Sequence, residues 1–246
     1  MVLYMEVSFL TWNIWYEENI ENIAAFLNEH PADIVCLQEL TNGYAKTHSD
    51  TGGYIAEQLG YNHFVKTIPL DNADWEIANG IFTRFPIKNQ KSVWINEPGG
   101  TGDYDDQYRA YVETSLDIEG KELTVATAHM SYTDAFKVTG RKLAETAQLV
   151  EEIKAKDHRF IVAGDFNAEP GSEVINQISK YLKHAGPDYA EKTWTTKPFS
   201  YNGFEANTLD WRLDYIFATP DVNVISAQIL QTDFSDHLPV LARIKL

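Results

Sequence analysis

Polar residues stand at the ends of apolar runs throughout this chain. Asn13 closes VSFLTWN, Glu39 ends DIVCLQE, His129 closes TVATAH, and Asp165 and Asn167 finish FIVAGDFN. Asp214 lies inside RLDYIFA, and Asp236 and His237 immediately precede PVLARI. In α/β proteins the ends of buried strands are where ligands and chemistry collect. Taken singly, each residue has a plain structural reading: Asn13 a turn, Glu39 a surface charge, Asp165 a turn cap, His129 a satisfied core histidine. Asp214 inside an apolar strand needs a partner, which Arg212 or a histidine could supply. Taken together they point to one pocket, where several carboxylates would repel one another unless a cation compensates. Glu, Asp and Asn oxygens without thiolates favour a hard divalent ion, Mg²⁺ or Mn²⁺, over zinc. Such an ion, held by a few carboxylates, is the usual partner of phosphate substrates. His237 would then serve as a base or phosphate donor and His129 as a second donor to the phosphoryl oxygens.

The elements that must position these residues alternate between two periods. VSFLTW reads as a strand, followed by a helix in which Ile20, Ile23, Ala24 and Leu27 recur until Pro31. DIVCLQEL is a strand, and a short helix through Tyr54, Ile55 and Leu59 ends at Gly60. ANGIFTRFPI and YVETSLDI are further strands. ELTVATAHM is apolar or small on both faces, as a strand buried between layers must be. Leu143, Ala147, Val150 and Ile153 form a helical stripe, RFIVAGD is a strand, and Ser172 caps a helix carrying Val174, Ile175, Ile178 and Leu182. RLDYIFA, VNVISAQIL and PVLARIKL complete an α/β pattern with a mixed sheet or two stacked sheets. PLDNADWE, NEPGGTGDYDDQY and TWTTKPFSYNGFEANT read as surface loops, positions that often carry binding function.

With 246 residues, 44% of them hydrophobic, the chain can bury its core as one domain spanning residues 1–246. No stretch approaches the roughly 20 apolar residues of a membrane span. The opening MVLYMEVSFLTWN lacks the features of a signal peptide, so a soluble, cytoplasmic protein is expected. Cys36 is the single cysteine, excluding an internal disulfide and a thiolate zinc cluster, and its place in DIVCLQEL suggests inert packing. A net charge of −16 disfavours a general electrostatic grip on nucleic acid, although a bound cation can reverse the sign locally. Nothing calls for a protein partner.

FLTWNIW, DIVCLQE, TAHMS, VAGDFNAEP, WRLDYIF and SDHLPV, in that order from about Leu10 to Leu241, resemble the endonuclease/exonuclease/phosphatase superfamily of deoxyribonuclease I, exonuclease III and related phosphoesterases. The pairing of GD-x-N with SDH is the specific part of the resemblance. It implies a four-layer α/β/β/α sandwich, two packed mixed β-sheets flanked by helices, and divalent-metal-dependent hydrolysis of a phosphoester by in-line attack of water. It also implies Glu39 as main metal ligand, with Asn13 and Asp236 supporting. Asp165 and Asn167 would position water and phosphate, and His237 would act as base or phosphate stabiliser, oriented by Asp214. His129 matches the deoxyribonuclease I-like branch and departs from the tyrosine of the AP-endonuclease branch. Glu76 falls near a glutamate that partners this histidine, and Arg109 near a phosphate-contacting arginine. WRLDY leans toward an AP-endonuclease-like DNA enzyme, whereas His129, the scarcity of Lys and Arg and the acidic GDYDD stretch lean away. A small phosphodiester, a sugar or lipid phosphate and a short nucleic acid stay open as substrates, as does a non-catalytic binding module that kept the fold. Tyr16, Trp75, Trp94, Tyr104 and Trp194 are candidates to stack on a ring.

Overall fold

The computed structural model describes residues 5–46, 48–71, 73–100 and 106–246. Along them run β1 (Glu6–Asn13), α1 (Ile20–Glu29), β2 (Ile34–Asn42), α2 (Thr51–Leu59), β3 (Asn62–Pro69), β4 (Glu76–Thr83), β5 (Ile87–Asn96), β6 (Arg109–Ile118) and β7 (Lys121–His129). They continue with α3 (Gly140–Lys154), β8 (Phe160–Asp165), α4 (Glu173–Ser179), β9 (Lys183–His184), β10 (Phe199–Tyr201), β11 (Phe204–Ala206), β12 (Asp214–Ala218), β13 (Asn223–Ile229) and β14 (Val240–Lys245). Each helix starts at a polar cap whose side chain accepts a backbone N–H: Asn19, Asp50, Thr139 and the expected Ser172. Gly60 ends α2 in the left-handed conformation, at φ 66°.

Two six-stranded mixed sheets result, ordered β13-β14-β1-β2-β4-β3 and β5-β6-β7-β8-β12-β9. At the centre of the first, β1 runs parallel to β2, and in the second β7 runs parallel to β8. Val7, Phe9, Ile34, Cys36, Ile81, Val112, Val125, Ile161, Ile216 and Val240 fill the space between the sheets. The outer face of the first sheet packs Leu10, Trp12, Val35 and Leu37 against Ile23 and Leu27 of α1 and Ile55 of α2. The outer face of the second packs Val162, Tyr215 and Phe217 against α3 and α4. The four layers are those the resemblance implies. Cys36 lies in the inter-sheet core, where burial pushes its thiol far above the usual range, in keeping with inert packing.

Four sequence expectations change. ANGIFTRFPI is not one strand: the chain turns after Thr83, and β5 begins at Ile87. Beyond β3, the exposed strand β5 was not anticipated, because the polar residues Lys88 to Ser92 interrupt its apolar positions. TWTTKPFSYNGFEANT is not simply a loop, since it contains the β10–β11 hairpin and the buried Trp194, packed with Phe136, Phe199 and Phe204. On α3 the buried face is rotated from the expected stripe: Ala147 is exposed, while Lys142, Glu145, Thr146, Leu149, Val150 and Ile153 are buried. Tyr104 and most of GDYDD lie outside the described residues.

Candidate active site

Strand parity brings the polar residues together. Along β1, Val7 and Phe9 face the other sheet, and two-residue alternation puts Asn13 on the same side. The same rule follows Val125 to His129, Ala163 to Asp165, and Ile216 back to Asp214. Four polar side chains thus enter the inter-sheet space at one end, where the apolar filling stops. Asn13 Nδ2 donates to Asp165 Oδ2 across the sheets at 3.2 Å.

Glu39 breaks the rule by means of a bulge. Strict alternation from Val35 and Leu37 would send it to the helix-covered face. The β2–β4 register shifts between Leu37 and Leu40 instead, Leu40 takes the helix-side position, and Glu39 adopts φ 62°. For a non-glycine residue that conformation costs of order 1–3 kcal/mol. Glu39 is thereby turned to Asn13, whose Nδ2 donates to Oε1 at 2.9 Å, and to the Tyr16 N–H, which donates to Oε2 at 3.1 Å. Asn13 presents its nitrogen to the carboxylates and its oxygen to Trp15 N–H at 3.1 Å. In this arrangement its nitrogen orients Glu39 and Asp165.

Asp165 and Asn167 owe their places to GDFN. Gly164 has φ 145°, and a Cβ there would lie 2.0 Å from the Ala128 carbonyl oxygen on β7, so only glycine fits. Asn167 occupies the left-handed region at φ 46°, which asparagine tolerates. Its N–H donates to Asp165 Oδ1 at 2.8 Å, and its amide reaches Met130 O at 2.9 Å, His129 Nε2 at 3.3 Å and Asp165 Oδ2 at 3.3 Å.

The SDH segment is stitched to β1. Ser235 Oγ donates to Asn13 O at 2.7 Å and accepts the His237 N–H at 3.1 Å, and Trp12 Nε1 donates to His237 O at 2.9 Å. Trp194, backed by the hairpin aromatics, donates its indole N–H to Asp236 Oδ2 at 2.9 Å. Sequence reading missed Ser235 and the donor role of Trp194, which it offered as a stacking or packing ring, although the serine in SDH and the tryptophan in the aromatic-rich TWTTKPF were visible signals.

His237 Nδ1 and Asp214 Oδ2 are 2.8 Å apart, and His237 Nε2 stands 3.6 Å from Asp165 Oδ2. Burial alone would lower the His237 pKa, but Asp214, Asp165 and Asp236 outweigh it and hold the imidazole well above its ordinary range. Burial, then Arg109, His237 and Lys142, keeps His129 well below it, so His129 is neutral. Burial raises Asp165 to about 7 against the His237 charge, with Asp214 adding to the rise. Glu39 is pushed up by burial and by Asp236.

Two residues are placed otherwise than expected. Glu76 lies on the parity of Ala78 and Phe82, the helix-side face, and accepts from Asn42 Nδ2 at 2.9 Å. His129 reaches Asn167, Asp165 at 3.5 Å and Glu39 at 3.9 Å, and Glu76 is not among these partners. Arg109 is buried at the start of β6 on the parity of Tyr111, toward α3, within electrostatic reach of His129 and Glu145. Among the candidate stacking rings, Tyr16 and Trp75 stack at 5.4 Å and are joined by Tyr44, whereas Trp94 packs on Tyr108.

The donor set suits a divalent cation. Glu39, Asp165, Asp214 and Asp236 crowd one pocket, and Asp214 Oδ1 is buried with no hydrogen-bond partner. Ligand atoms of Asp165, Asp214 and His237 lie within 4.8 Å of one another, a spacing that can hold a metal. In that trio, however, Asp214 and His237 engage each other, whereas Glu39 and Asp236 are half-buried and each of their oxygens keeps a lone pair beside the single hydrogen bond it accepts.

A family model described as "Endonuclease/Exonuclease/phosphatase family" matches residues 10–237. The chain belongs to the endonuclease/exonuclease/phosphatase family. Its relatives are phosphoester hydrolases, and the match spans every site residue described above. It is 23% identical to the CCR4-Not complex 3'-5'-exoribonuclease subunit of Aspergillus niger, an alignment covering 92% of this chain and 42% of that protein. The chain therefore spans less than half the length of this relative. It is also 23% identical to phospholipase C of Staphylococcus aureus, over 87% of this chain and 68% of the relative. A solved endonuclease/exonuclease/phosphatase structure from Bacteroides vulgatus superimposes with a TM-score of 0.74 at 20% identity, over 98% of this chain and 99% of the other. This family member carries no described helix long and apolar enough to cross a membrane.

Proposed function

We propose that this chain is a single-domain, Mg²⁺- or Mn²⁺-dependent phosphodiesterase acting on a small or short substrate. One observation carries the reading: the His237–Asp214 pair, Asp165 and Glu39, drawn from both sheets, converge on one pocket. Glu39 and Asp236 would hold the cation, with Asn13 orienting Glu39 and Trp194 orienting Asp236. When bound, the cation neutralises charge on the phosphoryl group and the leaving oxygen.

The remaining chemistry belongs to the side chains. A water oxygen attacks phosphorus opposite the leaving oxygen, the new P–O bond forms as the ester P–O bond breaks, and the bonding pair departs with the leaving oxygen. Asp165 Oδ2 and His237 Nε2 flank one position, and we assign the water's proton to Asp165. Its Oδ1 is fixed by Asn167 N–H, and its burial makes it a stronger base than an exposed carboxylate. The leaving oxygen takes its proton from solvent. His237, held charged by Asp214, donates from Nε2 to a phosphoryl oxygen, as a carboxylate-oriented imidazole does. Asn167 and neutral His129 complete the phosphate contacts, with Arg109 adding positive charge behind His129, and Glu76 has no part in them.

The relatives named for RNA and for a phospholipid both act on phosphodiesters, and this supports a diester here. The net charge of −16 favours a short or small substrate over a long polyanion. Hydrolysis of bis(p-nitrophenyl) phosphate with Mg²⁺ and with Mn²⁺ tests the reaction, and Asp236→Ala and His237→Ala should each abolish it while leaving the circular dichroism intact. Absence of turnover with every divalent ion would favour a binding module. A panel of duplex DNA, abasic DNA, RNA, phospholipids and sugar phosphates at fixed salt separates the substrates, and a preference for abasic DNA would favour the AP-endonuclease-like alternative.

A further inference from the structure

The segment leaving β7 ought to loosen as it enters a loop, yet its backbone polar groups are held at each step. Met130 N–H donates to Asp165 O at 2.8 Å, and Met130 O accepts from the Asn167 amide at 2.9 Å. Ser131 N–H then donates to the Glu145 carboxylate at 3.0 and 3.3 Å, and Ser131 O accepts from Lys142 Nζ at 2.5 Å. Glu145 and Lys142 are each 1% exposed and stand three residues apart on α3, on the face turned to the sheet. A carboxylate and an ammonium withdrawn from water are expensive for an ordinary helix–sheet contact, where apolar residues of similar volume do as well or better. Here the two charges close on one residue: the carboxylate accepts the N–H of the Met130–Ser131 peptide, and the ammonium donates to the C=O of the Ser131–Tyr132 peptide that follows. The carbonyl of the Met130–Ser131 peptide, whose N–H Glu145 holds, is the one that accepts from Asn167.

We infer that Glu145 and Lys142 are positioning residues for the reaction. They clamp Ser131, which fixes the Met130 carbonyl, which in turn fixes the Asn167 amide against His129 and Asp165. This rests on the phosphodiesterase reading for its kinetic consequence, but the clamp itself is a statement about geometry. Neither residue touches substrate, and both act through Asn167.

The test is a double-mutant cycle in the full chain, assayed with bis(p-nitrophenyl) phosphate and Mn²⁺. Glu145→Leu puts an apolar side chain in the buried position and loses the acceptor. It should lower kcat about 100-fold, as misplacement of a reacting group by around 1 Å does, with KM changed less than about twofold. Glu145→Gln, which can still accept the Ser131 N–H, should stay within about threefold of the parent. In an Asn167→Ala background the Glu145→Leu effect should shrink to less than about threefold, because the residue it acts through is gone. Equal Glu145→Leu losses in both backgrounds would overturn the inference while leaving the phosphodiesterase reading intact. A second readout needs no turnover: the Asn167 side-chain amide resonance, assigned by its disappearance in Asn167→Asp, should shift and exchange faster with solvent in Glu145→Leu and Lys142→Met. An unmoved resonance in folded variants would equally refute the clamp. An inactive parent with a shifted resonance would refute only the reaction.

Discussion

Replacing Asp214 by Asn keeps the size of the side chain and removes its charge beside His237. Two unit charges at the observed 2.8 Å interact by about 6 kcal/mol at an effective dielectric near 20. Asp165 and Asp236 still raise His237 in the variant, and desolvation still lowers it, so about half of that figure is a reasonable net loss. At 1.36 kcal/mol per decade, 3 kcal/mol is roughly a 10²-fold fall in kcat. The pH dependence carries the sign. In the parent, His237 titrates well above its ordinary range, so its proton is lost only at high pH. In Asp214→Asn its pKa drops, and the alkaline limb of kcat moves to lower pH. Stability moves with the same group. A raised folded pKa contributes stability that is fully present below the unfolded pKa near 6.5 and is lost as pH rises through the folded pKa. The stability deficit of Asp214→Asn, measured by urea unfolding in EDTA, should therefore be larger at pH 5.5 than at pH 9.5. The kinetic assay is bis(p-nitrophenyl) phosphate hydrolysis from pH 5 to 10. A variant with unchanged kcat and an unshifted alkaline limb would show that Asp214 does not charge His237, and the assignment of both residues would fall.

Glu39→Gln should abolish the rise in melting temperature that Mg²⁺ or Mn²⁺ gives the parent, since linkage requires a metal-competent folded state; an equal rise in both proteins would move the metal away from Glu39. Arg212 is buried and donates to Asp214 O at 2.7 Å, Glu191 O at 2.9 Å and Asp188 O at 3.1 Å. Arg212→Ala should lose about 3 kcal/mol, or roughly 6–12 °C in melting temperature, and Arg212→Lys should recover only part because an ammonium cannot fork. Burial, and then Arg212, lowers His184 to about 4. The unfolded chain therefore binds the extra proton between pH 6.5 and 4, and stability falls as pH drops through that window. His184→Gln should flatten this acid limb in a pH series of melting temperatures, and an unchanged slope would show that His184 does not titrate there.

The site was legible where chain periodicity alone delivers a side chain. Asn13, His129, Asp165 and Asp214 follow strand parity from apolar neighbours that declare their own facing. Where local backbone departs from the rule, parity misleads: Glu39 reaches its place only through a bulge, and Glu76, which obeys the rule, is carried to the other face. The SDH loop was visible, but the part of Ser235 depends on meeting Asn13 O, a contact 222 residues away in sequence. Edge strands β3 and β5 were illegible because polar residues, Lys66 in one and Lys88 to Ser92 in the other, interrupt their apolar positions, whereas the edge strand β13 keeps enough Val and Ile to be read. On α3 the apolar-stripe rule chose exposed Ala147 and passed over Lys142 and Glu145, because periodicity arguments assume that charges face water.

That last error bears on how so acidic a protein keeps its pocket in shape. Glu39, Asp165, Asp214 and Asp236 would push the two sheets apart at their open end if nothing opposed them, and hydrogen bonds from Asn13 and Asn167 satisfy oxygens without neutralising charge. The fixed positive groups lie behind the carboxylates: His237 among them, then Arg109 and Lys142 on the α3 side, with Glu145 tempering the latter two. The site is therefore polarised, with the half-buried carboxylates Glu39 and Asp236 on the side a cation would reach and the charge of Arg109 and Lys142 lying behind His129 on the α3 side. An anion and a cation arriving together satisfy both ends, whereas either alone leaves one uncompensated. It follows that phosphate-bearing ligand and metal should bind cooperatively. Isothermal titration of Mn²⁺ with and without a saturating, non-hydrolysable phosphorothioate diester should give a Kd lower by about 5- to 150-fold in its presence, the usual range of a coupling free energy of 1–3 kcal/mol. Equal affinities would mean that the two ends of the pocket do not sense each other, and the polarised arrangement would then be a property of the fold without a role in binding.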